Sequence, residues 1–152
     1  MKKTINISDK QITLDGNVTW TMTYREQFGH DIVPTLMPML AAAVDLMKGL
    51  YDAAESNQIE VKELIKLADD ESFINALVHL SGLEFVEILN IIWSLAATAE
   101  DIPEPKTWFK QFDDFYLDEI IPVVFELILG SSITLKNVMR LKGLKKNLQP
   151  SN

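Results

Sequence analysis

The chain has 152 residues, 47% of them hydrophobic and none of them cysteine, with 14 lysines and arginines against 22 aspartates and glutamates for a net charge of −8. Such a length and composition predict one domain with a sizeable core and exclude a disordered chain. The missing thiols exclude disulfide scaffolds, thiolate zinc sites and thiol nucleophiles, and the acidic balance argues against clamping nucleic acid over the whole surface.

At the start, Ile5 and Ile7, then Ile12 and Leu14, alternate with polar residues around Ser8-Asp9-Lys10-Gln11. Period 2 on both sides of a polar turn predicts a β-hairpin over residues 1–15 with one apolar face. From Thr19 the period becomes helical, and Trp20, Tyr24 and Phe28 stack three aromatics on one face. Gly29 suits the left-handed position that ends such a helix. A second helix is expected to start near Pro34–Pro38 and to bury Leu36, Leu40, Ala43, Val44, Met47, Leu50, Tyr51 and Ala54.

Shorter helices are predicted over 60–68 and from about 70 to 80, the second capped by Asp69 or Asp70. Glu84–Ala99 reads as the central helix, with Phe85, Ile88, Leu89, Ile92, Ala96 and Ala99 inward. Asp101-Ile102-Pro103-Glu104-Pro105 is a stiff connector to a short helix, Lys106–Phe112, that presents Trp108 and Phe109. Phe115–Leu129 is the last strongly apolar helix, closed by Gly130. The fold class expected is therefore mainly α, an irregular bundle of about six helices with a short N-terminal β-hairpin, spanning residues 1–135.

Residues 136–152 differ in character. They carry Lys136, Arg140, Lys142, Lys145 and Lys146 and no acid, a charge of +5, so residues 1–135 carry −13 of the net −8. Val138, Leu141, Leu144 and Leu148 make this basic tail amphipathic, and Gly143 weakens it as a helix. It has several possible destinations: the acidic body, an acidic partner, RNA or membrane, or solvent.

Signals for catalysis are poor. His30 and His79 are the only histidines and lack metal-ligand spacing, while the acids at 69–71, 113–114 and 118–119 lack the pattern of a calcium loop. No glycine-rich phosphate cradle or nucleophile elbow is present. No catalysis, cofactor or metal is expected. After Lys2-Lys3 there is no apolar run of a signal peptide, and no uncharged stretch reaches the ~18–20 residues that span a bilayer. A cytoplasmic protein is expected. Six methionines and a surplus of apolar residues fit either an ordinary core or an adaptable binding groove.

At Tyr24-Arg25-Glu26-Gln27-Phe28-Gly29-His30-Asp31-Ile32 the chain resembles the YRExFGxDI-like signature of tail assembly chaperones from long-tailed phages and prophages of Gram-positive bacteria. Trp93 within Ile92-Trp93-Ser94-Leu95-Ala96, then Asp101-Ile102-Pro103 and Trp108, is similar to a second stretch of that family. The order of hairpin, first motif, helical body, second motif and short tail agrees as well. His30 departs from the more basic residue expected there, and Pro103 and Pro105 stand unusually close together.

The resemblance implies a non-catalytic protein of the bacterial host cytoplasm. It would bind the tape-measure protein, and potentially the tail-tube protein, and keep apolar tape-measure helices in solution while the tube assembles. It also implies a longer form made by programmed frameshifting, with which Leu144-Lys145-Lys146-Asn147 is compatible. In the first motif, Tyr24 and Phe28 are expected to pack, Gly29 to end the helix, and Arg25 and Asp31 to pair or cap. Exposed apolar stripes leave a homo-oligomer open. The competing reading is a helical adaptor that engages nucleic acid or another partner through its basic tail.

Overall fold

A computed structural model of the protein describes residues 1–57 and 82–130. These form, in order, β1 (Lys2–Ile7), β2 (Lys10–Asp15), α1 (Thr19–Phe28), α2 (Val33–Asn57), α3 (Phe85–Ala99), α4 (Pro105–Phe109) and α5 (Leu117–Gly130). The protein is mainly helical with an antiparallel N-terminal hairpin, and five helices lie among the described residues against the six or so expected. The helices expected over 60–68 and 70–80 lie outside the described residues, as does the whole basic tail.

The alternation of Ile5, Ile7, Ile12 and Leu14 sets the hairpin. Ile5 pairs directly with Ile12 and Lys3 with Leu14, which places the apolar side chains on one face. Only Ser8 and Asp9 form the turn; Lys10 and Gln11 already belong to β2, a tighter turn than the four-residue cluster suggested. Ser8 adopts φ 56°, as the first residue of a two-residue hairpin turn must.

The helix α1 buries Trp20 and Tyr24 completely and Phe28 partly. It ends where expected: Gly29 has φ 79° and its N–H donates to the Arg25 carbonyl at 2.8 Å. The helix α2 begins at Val33, ahead of both prolines, with Pro34 in its first turn and Pro38 inside it. Pro34 forfeits nothing, because amides of the first turn have no intrahelical acceptor, whereas Pro38 gives up one hydrogen bond to the Pro34 carbonyl. Leu36 and Leu40 are buried, together with Ile32 and Met39. The rest of the stripe expected on this helix, from Ala43 to Ala54, lies outside the described side chains.

The helix α3 is the central element. Ile88, Ile91, Ile92, Trp93, Ser94, Leu95 and Ala96 are all buried, between α1 on one side and β2 on the other. The lone buried polar residue among them, Ser94, donates to the Asn90 carbonyl one turn back at 2.8 Å. Phe85 corrects the expected stripe: it is 55% exposed. The helix that covers α3 ends at Phe28, opposite Trp93, so the first turn of α3 projects beyond it.

The helix α4 is shorter than expected, ending at Phe109 with a turn at Lys110–Gln111. Its five residues hold because Pro105 presets the first helical position and Glu104 caps the end, accepting from the Thr107 amide at 2.8 Å and the Lys106 amide at 3.2 Å. The Thr107 hydroxyl also donates to Glu104. The helix α5 carries Asp118 and Glu119 at its positive end, includes Gly130 as its last residue, and contains Pro122. It packs under the hairpin, where Lys3 and Glu126 form an ion pair at 2.9 Å. A Cβ on Gly16 would stand 3.1 Å from the Leu127 carbonyl, so a side chain there would crowd α5.

Candidate functional site

The residues of the two motif segments come from helices that touch. Thr23 and Thr98 meet through their hydroxyls at 3.2 Å near one end of the α1–α3 contact. Phe28 meets Trp93 near the other, their rings edge-on at 5.8 Å, so the helices run antiparallel. Small polar residues such as Thr23, Ser94 and Thr98 leave room for that approach.

A continuous chain of contacts follows from it. Tyr24 packs on Phe28 with ring centroids 4.7 Å apart. Phe28 lies against Trp93, and the indole N–H of Trp93 donates to the Pro103 carbonyl at 2.9 Å. Tyr24, Phe28, Trp93 and Pro103 are thus joined. His30 closes the near end: its Nδ1 lies 3.2 Å from the Phe28 carbonyl and its Nε2 lies 3.3 Å from the Tyr24 hydroxyl. A carbonyl only accepts, so Nδ1 carries a proton, and in the neutral ring Nε2 accepts from the phenol. Burial pushes the Tyr24 hydroxyl above its ordinary pKa, with Glu87 adding to the rise and a hydrogen bond with Asn90 opposing it.

The other motif residues have separate duties. Asp31 caps α2, its carboxylate accepting from the Val33 amide at 3.0 Å. Arg25 is exposed in the last turn of α1 and forms no ion pair with Asp31, which settles the pair-or-cap alternative for the cap. Lys136, Arg140, Lys142, Lys145 and Lys146 lie outside the described residues.

Trp108 and Pro103 lead to a second feature. Together with Ile12, Thr13, Ala96, Glu100, Ile102, Thr107 and Gln111 they line a half-open cleft of about 420 Å³ between β2, the end of α3 and α4. Trp108 is buried and forms edge-on contacts with Phe109 and Phe112, each at 4.9 Å, so this wall is packed and aromatic. The lining offers apolar surface, two threonine hydroxyls and one glutamine amide, and among these lining residues Glu100 is the one carboxylate.

Among the described residues no three His, Asp or Glu side chains come together as a metal site, and no helix is long and apolar enough to cross a membrane. Sequence reasoning singled out Trp93, Pro103 and Trp108 but missed Ile12, Thr13, Glu100 and Gln111 as neighbours. Nothing in a linear pattern marks residues that meet only when a hairpin edge lies beside a distant helix end.

Apolar side chains also stand in solvent: Val18 at the N-cap of α1, Met22 one turn into it, Met37 on α2, Phe85 and Val86 at the start of α3, and Tyr116 before α5. Comparison with known proteins adds no relative: no protein-family model, no curated protein and no solved structure matches this chain.

Proposed function

We propose that this protein is a phage tail assembly chaperone that acts in the bacterial host cytoplasm, binds the tape-measure protein, keeps its apolar helices in solution and supports assembly of the tail tube. The observation that carries the reading is the Phe28–Trp93–Pro103 chain, which joins the two segments in which the sequence resembles that family. Side chains that resemble a family signature and also hold each other in place form one unit, and a shared scaffold is the simplest reason for both to be present.

The exposed apolar side chains support the same function. Val18 at the N-cap of α1, Met22 one turn into it and Met37 on α2 present apolar and adaptable surface of the kind that accepts helices in a groove. A tape-measure chain with long apolar stripes would aggregate unless covered. The net charge of −8 would keep the complex dispersed.

Co-expression tests the proposal. The soluble fraction of a long, coiled-coil-rich tape-measure protein from the same gene cluster is measured with and without this chain. Co-purification that survives a rise from low to moderate salt is expected, because apolar capture is not screened. Binding that instead collapses with salt would transfer the function to the basic tail and the adaptor reading. If the partner stays insoluble with this chain and with any frameshifted longer form, the chaperone reading fails.

A further inference from the structure

The hairpin carries a pairing edge that borders the cleft at Thr13. The Gly16 amide donates to the Met1 carbonyl at 2.8 Å, which sets the phase of the ladder. Hydrogen-bonded pairs then fall at Lys3/Leu14, Ile5/Ile12 and Ile7/Lys10, and alternate residues turn their amides away. On β2 the outward residues are Gln11, Thr13 and Asp15, whose backbone groups meet no partner among the described residues. Thr13 and its neighbour Ile12 point to opposite faces of the sheet, yet both line the cleft, so the cleft runs along the edge of β2.

An exposed strand edge is a template for another strand unless it is blocked. No proline interrupts β2, and no described strand covers it. The edge from Gln11 to Asp15 offers about 14 Å of unpaired backbone at ~3.4 Å per residue. Opposite it stand the apolar walls of Ile102, Pro103 and Trp108. Glu100 is the only charged side chain of the lining and has no ion pair among the described residues. The corresponding edge of β1, at Lys2, Thr4 and Asn6, is exposed and borders no such cleft among the described residues.

We infer that the β2 edge and the Trp108 wall form a slot that takes an extended segment of a partner protein by strand addition, a segment in which apolar residues alternate with lysine or arginine. Backbone pairing with Gln11, Thr13 and Asp15 supplies the affinity, the Ile102–Pro103–Trp108 wall receives apolar side chains, and Glu100 selects a cation. Strand addition differs from the helix capture proposed above, and it is tested without the tape-measure protein.

The probe is a labelled peptide, acetyl-Leu-Lys-Leu-Lys-Leu-amide, titrated against the full chain by fluorescence anisotropy and by NMR of the backbone amides. Saturable binding is expected, with shifted and exchange-protected amides at Gln11, Thr13 and Asp15. Methylating one alternate set of peptide nitrogens should weaken binding about tenfold or more, while methylating the other set leaves it unchanged. Glu100→Gln should weaken binding in a salt-dependent way.

Absence of binding overturns the inference. Equal loss from both methylated sets, or equal binding by a longer helix-forming leucine–lysine peptide, overturns strand addition. Protection at Gln11 and Thr13 that rises with protein concentration in the absence of peptide assigns the edge to a second copy and overturns the partner assignment. The methylated peptides are read on the unaltered chain, so a misfolded Glu100→Gln variant does not remove the test.

Discussion

The Ser8 hydroxyl donates to the backbone carbonyl of Asp114 at 2.9 Å and accepts from the backbone amide of the same residue at 3.0 Å. One side chain in the hairpin turn therefore stands in for a whole strand partner and ties the turn to the loop before α5.

Two substitutions separate this tie from the backbone conformation of Ser8. Ser8→Gly loses both hydrogen bonds but accommodates φ 56° without strain. Ser8→Ala loses the bonds and keeps the strain, so it should be less stable than the glycine variant by about 1 kcal/mol. Thermal melting should rank unaltered chain, glycine variant, alanine variant, with the last two about 2–4 °C apart. Equal melting of glycine and alanine variants would show that the turn relaxes freely.

Trp93→Phe keeps most of the ring that faces Phe28 and deletes the N–H that holds Pro103. The expected cost is about 1–2 kcal/mol in urea denaturation, because the Pro103 carbonyl loses a partly buried donor. Hydrogen exchange should quicken across 101–104 more than in α1. A uniform acceleration over the whole chain would indicate simple loss of packing.

Burial separates two aromatics that share a helix face. Trp20→Ala should cost ~3–5 kcal/mol, since the indole is completely buried. Phe28→Ala should cost less, because Phe28 is only partly buried. Equal losses in denaturant titration would mean that the Trp93 contact compensates for the exposure of Phe28. Trp20 Nε1 has no hydrogen-bond partner among the described residues, so Trp20→Phe removes an unsatisfied donor and should be milder than Trp20→Ala.

Spacing alone revealed the hairpin, the aromatic face of α1 and the interior of α3, because a period of 2 or 3.6 is dictated by which side meets the core. The glycine at 29 was legible for a similar reason, since a left-handed helix end suits few other residues. Tertiary closures were not legible. Pro103 receives the Trp93 indole only because the connector folds back over the end of α3, and Ser8 meets Asp114 only because α5 packs under the hairpin. Phe85 had the right spacing for burial and failed for lack of a covering neighbour among the described residues.

Tyr24 makes stability fall at high pH. Its folded pKa lies above the ordinary 10.0, so its contribution is complete below that pH and is lost as pH rises through the folded value. From pH 9 to 11 the unaltered chain should lose stability more steeply than Tyr24→Phe. Parallel curves would place the phenol in contact with water.

Glu104 acts at the opposite end of the scale. Hydrogen bonds from the Thr107 side chain and amide, then from the Lys106 amide, hold its carboxyl below the ordinary 4.5, with the Lys106 charge assisting. Its contribution is present above 4.5 and is lost as pH falls through the depressed folded value. Glu104→Gln should therefore be less stable than the unaltered chain at pH 6, and the gap should narrow toward pH 3. A gap independent of pH would assign the effect to shape.

The position of α5 beneath β1 matters during synthesis. Asp114 leaves the ribosome 106 residues after its partner Ser8, and the helix that pairs Glu126 with Lys3 comes later still. At ~5–20 residues per second that delay is on the order of ten seconds. Throughout it the hairpin lacks the helix that packs against β1, and a two-stranded hairpin alone is marginal in water. The hairpin is among the last elements to be sealed, so a translation product truncated ahead of α3 and α5 would present its apolar strand pair to everything around it.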